Sequence, residues 1–122
     1  MKRFTSIFVL LLAVITLSAQ DITGTWKGKL SFTDQMGNPA ELGIVFHISA
    51  TDNGYSSTMD SPDQGGFDIP ADTTIFKDSE VTIKKAEYDV VYVGKLVDDT
   101  SLEGTLTQYG GSLDLNLKKE TE

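Results

Sequence analysis

Turn signals recur about every ten residues along this chain, and between them apolar side chains alternate with polar ones. Asp34-Gln35-Met36-Gly37-Asn38-Pro39, Thr51-Asp52-Asn53-Gly54 and Lys77-Asp78-Ser79 are such breaks. Before the first, Trp26, Gly28, Leu30 and Phe32 share one parity, while Thr25, Lys27, Lys29 and Ser31 share the other. Later runs repeat the pattern: Leu42, Ile44, Phe46 and Ile48; Tyr55, Ser57 and Met59; Val81 and Ile83; Tyr88, Val90, Tyr92, Gly94 and Leu96; Leu102, Gly104 and Leu106; Leu113, Leu115 and Leu117. A period of two places each of these sets on one face of a strand. No window after residue 20 carries an apolar stripe at helical spacing, so the chain is restricted to an all-β fold of about eight short antiparallel strands.

Three glycines decide between a barrel and a β-sandwich. Gly28, Gly94 and Gly104 sit mid-strand on the apolar parity, each between two large residues. Glycine there weakens a flat strand, but it permits the sharp coiling of a closing sheet or the close approach of a neighbouring ring. The spacing therefore predicts a single up-and-down β-barrel, with the sandwich as the alternative. The inward set, Trp26, Phe32, Phe46, Tyr92 and many leucines, is expected to fill most of a small barrel.

The first 20 residues have the order of a secretory signal: Lys2 and Arg3, an apolar run from Ile7 to Leu17, then Ser18-Ala19-Gln20. That run is shorter than the roughly 20 residues that span a bilayer. Cleavage after Gln20 leaves a single domain over 21–122, exported to the periplasm or the extracellular space. The chain has no cysteine, so neither a disulfide nor a lipidated cysteine supports or anchors it. Without Lys2 and Arg3, eight lysines face eighteen acidic residues, and no arginine remains. An acidic surface with scattered lysines argues against nucleic acid and against anionic membranes, whose phosphates are met by clustered Lys and Arg.

Thr58 to Pro70 is the one long stretch without alternation. Two prolines, two adjacent glycines and three aspartates make it a shaped loop. Asp60, Ser61, Asp63 and Gln64 are its candidate binding residues, with Asp60 or Asp63 expected to accept backbone amides. A second candidate surface comes from apolar residues on the outward parity: Val45 beside His47, and Val91 with Val93. Left uncovered, they would form a docking patch.

Catalytic groupings are incomplete. A nucleophile elbow requires Gly-x-Ser-x-Gly at a strand-to-helix turn, whereas Gly110-Gly111-Ser112-Leu113-Asp114 leads into a strand. A Ser-His-Asp triad would have to combine His47, the single histidine, with Ser57 or Ser61 and Asp60 or Asp63. Its parity makes His47 an outward strand residue. The spacing of Asp60, Asp63, Asp68 and Asp72 fails the Asp-x-Asp-x-Asp-Gly calcium pattern, and one histidine without cysteine is a poor zinc set. No metal or other cofactor is expected.

Gly24-Thr25-Trp26 looks like the Gly-x-Trp opening of lipocalin-like barrels, where the indole plugs one end. More of the chain resembles the small β-domain that precedes the catalytic domain in secreted bacterial α/β-hydrolases of the serine aminopeptidase and dienelactone hydrolase type. The resemblance runs through Gly24 to Leu30, Val45 to Ile48, Thr58 to Gly65, Ile69-Pro70, Gly94 to Leu96 and Leu102 to Gln108, and the Asp60 to Gly65 segment is its most specific part. Such a protein continues into its hydrolase where this sequence stops at Glu122. The resemblance therefore implies a stand-alone copy of an accessory domain, without hydrolase activity.

These observations lead to one expectation: an exported, non-catalytic accessory module that docks to another exported protein, such as a hydrolase. A lipocalin-like carrier of a small apolar ligand is the first alternative, and a hydrolase-associated enzyme using the Asp60 to Gly65 loop is the second. Export makes a direct prediction: intact mass of periplasmic or secreted material should correspond to a chain beginning at Asp21. Membrane-retained material that still carries Met1 would contradict it.

Overall fold

The computed structural model describes residues 21–120. The expected signal segment, 1–20, lies outside them. Ten antiparallel strands form among the described residues: β1 Gly24–Thr33, β2 Pro39–Thr51, β3 Gly54–Ser61, β4 Gly66–Pro70, β5 Thr73–Lys77, β6 Glu80–Lys85, β7 Val90–Asp98, β8 Ser101–Gln108, β9 Gly111–Asp114 and β10 Leu117–Lys119. Single-turn 3-10 helices at Pro62–Gln64 and Ala86–Tyr88 link β3 to β4 and β6 to β7. No helix among these residues is long and apolar enough to cross a membrane.

The strands follow the order β4-β3-β2-β1-β10-β8-β7-β6-β5, with β9 on the free part of β8. Two four-stranded meanders, β1 to β4 and β5 to β8, are thus joined by β10, which pairs with β1 at Trp26↔Lys119 and with β8 at Leu117↔Leu102. The up-and-down β architecture expected from the alternation is present, with ten strands instead of about eight, and the sheet is an open barrel. Its two terminal strands, β4 and β5, are consecutive in sequence. At the link between them the Ala71 amide donates to Ser57 O on β3, and the Asp72 amide donates to Lys84 O beyond β5 on β6. The chain changes partner there, so the two ends of the sheet meet without a continuous ladder.

One end of the interior is solidly packed. Trp26 is fully buried and its Nε1–H donates to Ile22 O at 2.9 Å, so the indole is both enclosed and satisfied. Phe46 and Tyr92 pack against each other with ring centroids 5.5 Å apart, and Leu102, Leu115 and Leu117 complete this layer. Each such side chain contributes about 1.5–3 kcal/mol by leaving water.

The mid-strand glycines admit neighbours. Gly94 and Gly104 face each other across β7 and β8, and a Cβ on either would run into the Tyr92 hydroxyl. That hydroxyl donates to Leu115 O at 3.0 Å, and burial pushes the phenol above its ordinary pKa, so it remains a donor. Gly28 leaves room for Asn116 O, where the chain passes from β9 to β10.

Three expectations are corrected. Gly66–Pro70 is strand β4, not loop, and it pairs with β3 across a bulge between Met59 and Ser61. The Leu113-Leu115-Leu117 run is divided into β9 and β10: both pair with β8 in one register and Leu115 N–H donates to Gly104 O between them, but Asn116 Oδ1 takes the Gly104 amide and interrupts the ladder. Phe32 is at the rim, 38% exposed, and does not fill the interior.

Gly104→Ala should destabilise the domain by about 1–3 kcal/mol, the usual range for forcing extra volume into a packed site. Gly43→Ala, whose Cβ would meet only Asp63 Oδ2 at an ordinary 3.6 Å, should be close to neutral. Urea unfolding of both variants tests whether the notch, and not strand glycine in general, carries the effect.

Candidate functional site

Strand direction assigns each connection to one end of the barrel. The β1–β2, β3–β4, β6–β7 and β8–β9 connections all lie opposite the Trp26 end. The tightly packed core stops short of them. Along β4, which pairs only with β3, Gly66 and Ile69 share a cavity of about 310 Å³ with Tyr88 and Val90. Leu30, Leu42, Ile44, Met59, Ile69, Val90 and Leu106 form its walls, with Ser61, Gln64, Tyr88 and Gln108 as the polar members of the lining. None of the twelve lining residues is an acid or a lysine. The volume lies at the lower end of the range for small-molecule sites, which are mostly apolar with a few placed polar groups.

Local bonds fix the polar rim. Ser61 is buried on β3 and its hydroxyl donates to Gln64 Oε1 at 2.6 Å, so the β3–β4 turn holds Gln64 over the opening. On the opposite side Gln108 Nε2 donates to Tyr88 O at 3.0 Å, and Asp89 Oδ2 accepts the Tyr109 amide at 3.0 Å. These two bonds tie the β6–β7 turn to the β8–β9 turn. Met36 and Tyr109 stand on this set of connections and Phe67 at the start of β4, at 86%, 72% and 60% exposure.

Of the loop residues expected to bind, Ser61 and Gln64 line the cavity, whereas Asp60 and Asp63 hold backbone. Asp63 Oδ2 accepts the Gly43 amide at 2.9 Å, just beyond the point where β3 stops pairing with β2 at Val45↔Asp60. Asp60 Oδ1 accepts the Asp68 amide at 2.8 Å, bracing β4. Asp60 Oδ2 lies 2.8 Å from His47 Nε2, and His47 Nδ1 lies 3.2 Å from Thr25 Oγ1. This Thr25-His47-Asp60 chain crosses β1, β2 and β3 on the outer face, with the His47 side chain 41% exposed and Asp60 only 14%. Ser57 and Ser61 are buried on the inner face and bond to Thr74 and Gln64, so neither reaches His47 to make a Ser-His-Asp grouping. Among the described residues no three His, Asp or Glu side chains converge on a possible metal position.

The outward valines do not form one patch. Val45 and His47 lie on β2, Val91 and Val93 on β7, and β1, β10 and β8 intervene. Val93 is exposed, whereas Val45, His47 and Val91 are half-buried.

Sequence reasoning missed the cavity because parity says which side chains point inward, not whether they fill the space. The available signal was positional: Leu30, Leu42, Val90 and Leu106 are the inward residues nearest the connections at one end.

No family model matches this chain, and no curated protein is significantly similar to it.

The Asp60 carboxyl is held below the ordinary carboxylate value by the Asp68 amide, against an upward push from burial, and further by the hydrogen bond and charge of His47. The folded state therefore prefers the ionised form. Its contribution is complete above the unfolded value, about 3.9, and is lost as pH falls through the lower folded value. Asp60→Ala should cost about 1–3 kcal/mol at neutral pH, since the Asp68 amide loses its acceptor. The gap between wild type and variant, measured by chemical unfolding, should shrink as the pH is taken below that window.

Proposed function

We propose that the mature chain is an exported, non-catalytic binding module that takes up a small apolar ligand through the mouth of the open barrel. The observation that carries this reading is the apolar cavity at the split between β4 and the Ala86–Tyr88 turn, at the end opposite the Trp26 plug. Apolar walls supply affinity by excluding water, and the few amides at the rim orient the ligand. Inward side chains that filled the barrel would leave a carrier no interior space. The buried core continues past Tyr92 and Phe46 to Leu30, Ile44, Met59, Val90 and Leu106, but there the side chains line a cavity instead of filling the space.

A second reading, docking to another exported protein such as the hydrolase implied by the resemblance, is favoured by the exposure of Met36, Phe67 and Tyr109 around the same mouth. Exposed apolar side chains grouped at one end are a usual mark of a contact surface. The split of the outward valines between β2 and β7 moves this reading from the barrel wall to its mouth.

The purified mature chain should bind the neutral dye Nile red. Leu42→Trp, which fills the cavity from its half-buried edge, should weaken uptake at least about tenfold, a loss of 1.4 kcal/mol or more. Val93→Glu, on the outer face of β7, should leave it unchanged. Absence of dye uptake by a folded wild-type chain would transfer the assignment to the docking reading.

A further inference from the structure

The rim chemistry narrows the ligand class. Gln64 accepts from Ser61 through Oε1, and its Nε2 has no partner among the described residues. Gln108 donates through Nε2 to Tyr88 O, and its Oε1 likewise has none. Both glutamines line the cavity, so its polar rim carries one amide donor and one carbonyl acceptor without a protein partner. A hydroxyl both donates and accepts, so it suits either group; a carboxylate only accepts and cannot bond to Gln108 Oε1.

Charge acts in the same direction. An ion entering an apolar cavity loses its hydration and needs an opposite charge to replace it. Neither a lysine nor an acid lines this one. The nearby strands carry Lys29 and Lys85, but Lys29 faces Glu41 at 3.7 Å and Lys85 faces Glu87 at 3.6 Å and Asp72 at 4.0 Å. Asp63 and Glu87 stand on the connections at the mouth, with Asp68 on β4 beside them, and oppose an incoming anion. We infer that the cavity selects an uncharged amphiphile, an aliphatic chain ending in a hydroxyl, over the corresponding carboxylate. This inference rests on the ligand-binding reading given above.

The experiment uses the mature chain with n-octanol, n-octanoate and n-octylamine as probes at neutral pH, read by displacement of Nile red. Methyl NMR of labelled methionine gives a direct second readout. The Met59 resonance, on the cavity wall, should shift with octanol and stay in place with octanoate or octylamine at the same concentration. Octanol should bind at least about tenfold more tightly than either charged probe, because only the neutral head escapes the desolvation penalty. Gln64→Lys, on an exposed turn, should reverse the order and make octanoate the tighter ligand. Far-UV circular dichroism checks that the variant is folded. Equal or tighter binding of octanoate or octylamine to wild type, or an unchanged order in folded Gln64→Lys, would overturn the selectivity while leaving the cavity as a ligand site. Failure of the dye and all three probes to bind the folded wild-type chain would overturn both.

Discussion

The change of partner at Ala71–Asp72 is the constraint from which the rest of the architecture follows. Adjacent amides donate to opposite ends of the sheet, Ala71 to Ser57 O and Asp72 to Lys84 O. Asp72 then fixes the corner with its side chain: Oδ2 accepts the Ala86 amide at 2.6 Å, which anchors the start of the Ala86–Tyr88 turn. On the Trp26 side of this corner, β3 and β5 are held together by side chains, with Ser57 and Thr74 hydroxyls 2.7 Å apart and the Tyr55 and Phe76 rings edge to face. On the other side, β4 and β7 have nothing between them but the cavity. A backbone that satisfies every buried amide can leave a sheet open on one side only if the unpaired edges face solvent or a ligand.

The two ends of the barrel consequently do different work. The Trp26 end is closed by large side chains that each find a partner, down to the Tyr92 hydroxyl lodged over Gly94 and Gly104. No buried side-chain nitrogen or oxygen among the described residues lacks a hydrogen bond. The mouth end is built from connections, and its aspartates mostly serve the backbone: Asp34 accepts the Met36 and Asn38 amides, Asp63 that of Gly43, Asp89 that of Tyr109. Much of the acidity of this chain therefore shapes turns.

What could be read from the sequence divides along physical lines. Alternation is a local property, so the inward faces of β1, β2, β7 and β8 were legible from Trp26, Phe46, Tyr92 and Leu106. Gly94 and Gly104 were legible as sites of either sheet coiling or close approach, and the Tyr92 hydroxyl beside both shows the close approach. β4 was hidden because Gly66 and Pro70, which read as loop formers, sit at the ends of a short edge strand, where neither breaks a ladder. The Thr25-His47-Asp60 chain and the separation of Val45 from Val91 depend on which strands are neighbours, and that is settled by β10 inserting between the two meanders. No periodicity in the chain encodes it.

That insertion bears on how the molecule forms. Each meander is made of neighbouring hairpins, whose contacts are short in sequence and quick to close. β10 must instead bring Lys119 to Trp26 and Leu117 to Leu102, and the first of these joins nearly the two extremes of the described chain. Long-range pairings of this kind set the pace of folding in β proteins. Until the last strand docks, Trp26 lacks the Lys119 side chain that covers its ring at 5.8 Å, and Tyr92 lacks the Leu115 carbonyl that receives its hydroxyl. The plug of the barrel is therefore completed by the most distant pairing in the described chain, and the Trp26 end stays unsealed until β10 docks.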